Sequence, residues 1–105
     1  LAEAVRLLAL REAIPETGTL ARIAALEAKG RLNRDDADYL RSAFAFLTGL
    51  QLRQQIADYR AGRTVGNFVD PKTLTEREAE RLREYLRTIN EFRARVRADL
   101  TGQLV

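Results

Sequence analysis

Arg53 and Gln55 stand two positions apart, where a long apolar stretch turns polar in the run Leu52-Arg53-Gln54-Gln55. A planar guanidinium suits bidentate contacts to phosphate or carboxylate. On a helix, the face through Phe46 and Leu50 continues into Arg53, Ala57 and Arg60, whereas Gln55 shares the side of Phe44, Thr48 and Tyr59. A buried, unpaired arginine is strongly destabilising. Two readings therefore stand side by side. In one, Arg53 pairs with a carboxylate such as Glu78 or Glu84 and locks two helices. In the other, Arg53 and Gln55 line a cleft and meet a ligand.

Other chemistries are closed by composition. The chain has no cysteine and no histidine, which excludes disulfides, Cys/His zinc sites and any nucleophile that relies on a histidine base. Asp35, Asp36 and Asp38 cluster where a helix begins, and capping explains them better than acid–base catalysis. The run Gly62-Arg-Thr-Val-Gly66-Asn67 has neither the phosphate-loop pattern nor a preceding strand. Catalytic and metal-ligating residues are therefore expected to be none. Six arginines against Glu84 and Glu91 mark the stretch Arg81 to Arg97; glutamates and arginines three and four apart make it mainly a solvated face. A net charge of only +3 does not suit tight duplex binding, so nucleic acid is not an expected partner. No apolar run approaches the ~20 residues that span a bilayer, so no membrane role is expected, and the missing cysteines fit a cytoplasmic protein.

These residues need elements to position them. At 105 residues the chain fits one domain, and the periodicity predicts four helices, an all-α bundle. Two are short, about 1–14 and 19–29, and two are long, about 33–61 and 75–101. Pro15 ends or bends the first. Thr19 is the expected N-cap of the second, and Gly30 its left-handed C-terminal residue. Asn33 caps the third, which Gly62 closes. From Ala43 to Leu52 the third helix is apolar nearly all round, which predicts a central, enclosed helix. Thr75 and Glu78 form a capping box for the fourth. Leu82, Leu86, Ile89, Phe92, Val96 and Leu100 then make one continuous stripe. The irregular segment 63–74 carries Phe68 and Val69 and is expected to pack back on the helices, where a scaffolded loop can hold binding residues.

Taken together, the runs from Leu8 to Leu47, Leu50 to Gly62 and Asn67 to Ile89 resemble the putative nucleotidyltransferase substrate-binding domain. The resemblance rests on Leu52, Arg53 and Gln55 of a Leu-Arg-x-Gln motif and on Asn67 and Pro71 of an Asn-x-x-x-Pro loop. Leu74, Thr75, Glu78, Leu82 and Glu84 at the start of the last helix complete it. The chain departs from the family pattern at Gln54, where the family often has histidine, at Val65-Gly66, where it favours Pro-Asp, and at Ala79, where arginine is common.

The resemblance implies a non-catalytic, C-terminal helical piece of a larger bacterial signalling protein, one with cyclic-nucleotide-binding, CBS and nucleotidyltransferase domains. It implies that this module helps form the acceptor pocket beside a catalytic domain, the expected partner. Arg53, Gln55 and Asn67 would face the ligand, with Arg60 and Lys72 as secondary groups. No cofactor is expected on the chain itself; a nucleotide and a divalent metal are implied for the catalytic domain. A helical interaction or dimerisation module, pairing with a copy of itself, is the competing reading. The helical ribonuclease domains that also accompany nucleotidyltransferases use an arginine followed by a histidine, and the lack of histidine sets them aside.

Overall fold

In the computed structural model, which describes residues 1–66 and 69–104, the chain folds as four helices. These are α1 (Ala2–Arg11), α2 (Thr19–Ala28), α3 (Arg34–Arg60) and α4 (Glu76–Leu104), with one 3-10 turn at Pro71–Thr73 before α4. No strand occurs among the described residues. Residues Ala4, Val5, Leu8 and Ala9 of α1, Ile23 and Leu26 of α2, Ala37 and Leu40 of α3, and Phe92 and Val96 of α4 share one core with Ile14 and Leu32. That core occupies one end of a molecule measuring 49 × 27 × 26 Å. At the other end, the second half of α3 runs beside the first half of α4. Nearer the core, Tyr85 of α4 packs on the first half of α3, its ring 5.3 Å from Tyr39 and 5.4 Å from Phe46.

Local rules set most helix ends. Asn33 accepts the Asp36 N–H at 2.7 Å. Thr75 Oγ1 accepts the Glu78 N–H at 3.1 Å while Glu78 Oε1 accepts the Thr75 N–H at 2.9 Å, a reciprocal capping box. Gly30 and Gly62 have φ of +73° and +70°. Each follows a helix whose carbonyls are then closed by two paired bonds, Arg31 N–H to Leu26 with Gly30 N–H to Glu27, and Arg63 N–H to Asp58 with Gly62 N–H to Tyr59.

Several boundaries differ from the sequence expectation. Helix α1 stops at Arg11 rather than Ile14, and Pro15 is not what stops it. Ala13 takes φ +55°, and the Ala13 and Ile14 N–H groups close back on Leu10 and Ala9. This is the glycine-type helix ending built with alanine, and it delivers Ile14 into the core. The left-handed backbone disfavours a Cβ by about 1–2 kcal/mol. Ala13→Gly is therefore expected to stabilise the fold by about 0.5–1 kcal/mol after the greater freedom of glycine in the unfolded chain is counted. Urea denaturation followed by circular dichroism measures this. In α2, Gly18 occupies the N-cap with extended backbone and Thr19 is already helical; a glycine cap is only a few tenths of a kcal/mol weaker than a hydroxyl one. The helix ends at Ala28. Helix α4 runs past Thr101 to Leu104 because no proline intervenes.

The larger difference lies in α3. Its middle is not enclosed: Ala43 and Leu50 are buried, Phe44, Phe46 and Leu47 are half-buried, and Leu52 is 55 % exposed. The cause is length. Helices α1 and α2 have ten residues each, about 15 Å, and cover only the first turns of α3 and the last turns of α4. Among the described residues, none packs over the outer flank of α3 at Leu52, Ile56 and Tyr59, which stay exposed.

Candidate functional site

The buried stripe of α3 runs Ala43, Leu50, Gln54, Asp58: apolar for two turns, then polar for two. Gln54 and Asp58 are one turn apart, and Gln54 Nε2 donates to Asp58 Oδ1 at 2.9 Å. Polar groups this enclosed are tolerated only when bonded, and both are. Gln54 Oε1 accepts the Asp70 N–H at 3.2 Å, and Asp58 Oδ1 also accepts Arg63 Nε–H at 3.1 Å. The pair thus grips the connecting loop at two points. Gln55 adds a longer contact at 3.4 Å, its Nε2 donating to the Gly66 carbonyl.

Beyond the loop, Asp70 organises the approach to α4. Its Oδ1 accepts the Lys72 N–H at 3.0 Å, and its carbonyl accepts the Thr73 hydroxyl at 2.7 Å. Between the end of α3 and this turn lies an open cleft of about 570 Å³, lined by Gln54, Asp58, Arg63, Thr64, Asp70 and Thr73 together with Ala57 and Gly66. Its volume fits a small-molecule ligand. A groove between α1 and α4 beside Leu7 and Leu100 offers only about 130 Å³. The cleft walls carry an amide, two carboxylates, a guanidinium and two hydroxyls. That mixture of donors and acceptors suits a polar ligand bearing hydroxyl or amino groups.

Residues 1–100 match the family described as "Putative nucleotidyltransferase substrate binding domain". The chain belongs to this family. No curated protein and no solved structure matches the chain. The name of this substrate-binding domain family implies association with a nucleotidyltransferase domain. Among the described residues, no group of three or more carboxylates is placed to hold a metal ion, so no step through a metal is assigned to this chain. No helix among them is long and apolar enough to cross a membrane.

Within the substrate-binding domain, none of the described residues singled out from sequence lines the cleft. Arg53 forms a bidentate pair with Glu78, at 2.7 and 3.2 Å, the helix-locking arrangement that spacing allowed. Gln55 props the loop through Gly66. Arg60 and Lys72 are exposed, and neither lines the cleft. Asn67 lies outside the described residues. Sequence reasoning passed over Gln54, Asp58, Arg63, Thr64, Asp70 and Thr73. The signal for the first two was present: Gln54 and Asp58 continue the Ala43–Leu50 row, and two polar residues in an apolar row call for partners.

The Arg53–Glu78 pair makes a pH prediction. The Arg53 guanidinium first, and the Thr75 backbone N–H second, lower the Glu78 pKa from 4.5 to about 2. A carboxyl depressed in the folded state contributes stability that is fully present above its unfolded value. That contribution is lost as the pH falls from 4.5 through about 2. In a carbon-detected carboxyl titration, Arg53→Gln is expected to move the Glu78 midpoint upward toward 4.5.

Proposed function

We propose that the chain holds the acceptor for nucleotidyl transfer: a small polar molecule with hydroxyl or amino groups sits in the cleft at the end of α3 and is presented to a catalytic domain of the same parent protein. One observation carries this reading. A buried Gln54–Asp58 pair, on an otherwise apolar face, fixes the loop that walls an open polar cleft. The family match supports the reaction class.

In this reading Thr64, Thr73 and Arg63 contact the acceptor with Asn67 as a further ligand-facing group, Gln55 holds the loop through Gly66, and Arg53 positions α4 through Glu78. Arg60 and Lys72, exposed outside the cleft, are secondary ligand-facing cations in this reading. The catalytic domain supplies nucleotide and divalent metal. A cytoplasmic bacterial parent with cyclic-nucleotide-binding and CBS domains would use the module to pass a regulatory signal to transfer.

The test is calorimetry on the intact protein. Thr73→Val and Asn67→Ala are each expected to weaken acceptor binding up to about tenfold, the value of one lost hydrogen bond, with nucleotide affinity unchanged. Folded variants that bind the acceptor as tightly as the parent would remove the cleft from the reaction.

A further inference from the structure

The outer flank of α3 carries Leu52 at 55 %, Ile56 at 44 % and Tyr59 at 80 % exposure. With the exposed Ala45, Thr48 and Gly49 they recur at steps of three and four, so they form one ridge. From Ala45 to Tyr59 that ridge is about 21 Å long, and it bears no charge. The charged residues within this span are Arg53 and Asp58, bonded to Glu78 and to Gln54 and Arg63. A solvated helix face ordinarily carries charge.

Gly49 is the second observation. A glycine inside a helix is about 1 kcal/mol worse than alanine. A Cβ on Gly49 would meet nothing within 4 Å, so packing within the chain gives no reason for it. Beside Ala45, one turn away, it leaves a notch in the ridge where another helix can approach closely.

Charge selects the occupant. The first turns of α3 carry Asp35, Asp36 and Asp38 against Arg34, a net negative end, and its last residue is Arg60. Asp38 and Arg60 each lie 11 positions from Gly49. A two-fold axis at Gly49 therefore sets Asp38 of one copy against Arg60 of the other, and the reverse. The Asp38 side chain, although bonded to Arg41 and 4.0 Å from Arg34, is still 60 % exposed. Parallel pairing would instead set like charges together. We infer that the ridge pairs antiparallel with the same ridge of a second copy of this chain, crossing at Gly49. Two ridges of this length form a contact at the small end of specific interfaces, so the dimer is a reversible one, of micromolar or weaker affinity.

Sedimentation equilibrium of the chain from about 10 to about 500 µM brackets that range. The expected result is a concentration-dependent dimer that Leu52→Glu weakens at least about tenfold, with an unchanged circular dichroism spectrum because Leu52 is half exposed. Asp38→Arg is expected to weaken it, and adding Arg60→Asp to restore it. The chain has no cysteine, so an introduced one reports position without interference. Gly49→Cys, near the axis, is expected to cross-link on oxidation, and Tyr59→Cys, far from it, is not. A monomer throughout, as expected if an unlike domain covers the ridge, overturns the inference. So does a dimer indifferent to Leu52→Glu, or cross-linking at position 59 as fast as at 49.

Discussion

Phe92→Ala is expected to remove about 3–5 kcal/mol of folding free energy, the largest loss from any single change considered for this fold. Phe92 is 5 % exposed and belongs to the cluster in which all four helices meet. Truncation leaves a void among side chains that α1 and α2, each ten residues long, have little freedom to close. A domain of this size has about 5–15 kcal/mol in total, so the variant is expected to be strongly destabilised. Leu86 lies on the same helix and in the same sequence stripe, yet is 44 % exposed. Leu86→Ala is expected to cost less than about 1 kcal/mol. Urea denaturation of both variants checks the contrast, and equal losses would contradict the placement of the core at one end.

The second large effect is at Asp58. Its Oδ1 receives both Gln54 Nε2–H and Arg63 Nε–H, and its side chain is 12 % exposed. Asp58→Ala leaves the enclosed Gln54 amide without its acceptor, at an expected cost of about 2–3 kcal/mol. Arg63 is 60 % exposed at its side chain, so Arg63→Ala should cost no more than about 1 kcal/mol. The loss at Asp58 is expected to be local as well as global. With Gln54 no longer fixed, the Asp70 N–H loses its acceptor, and its hydrogen exchange should quicken well before the core amides respond. Asp58→Asn keeps an oxygen in place and should recover part of the stability. If it proves as damaging as alanine, the charge and not the bond geometry holds the loop.

How much of this was legible in the sequence depended on whether the cause was local. The Thr75–Glu78 box, the Asn33 cap and the glycine endings at Gly30 and Gly62 are set by a few neighbouring residues, and all are present as read. Ala13 was not legible, because an alanine in left-handed backbone carries no mark of its own; the need to bury Ile14 imposes it. The enclosure expected for Ala43–Leu52 failed because periodicity reports which residues are apolar, not how far the neighbouring helices reach. For the site, spacing alone allowed Arg53 either a ligand or a carboxylate, and only the approach of α4 brings Glu78 to it. Gln54 and Asp58 were visible as polar residues in an apolar row, but their partners lie in a loop whose path depends on tertiary packing.

The proposed acceptor site is the cleft at the end of α3, walled by the loop that Gln54 and Asp58 hold. Amide chemical-shift mapping of the labelled chain tests it most directly, with small polyols and amino alcohols as probes. Saturable shifts are expected at Gln54, Asp58, Arg63, Thr64, Gly66, Asp70 and Thr73, and are expected to disappear in Asp58→Ala. Saturable shifts clustered instead between α1 and α4, or none at the cleft with any probe, would contradict it.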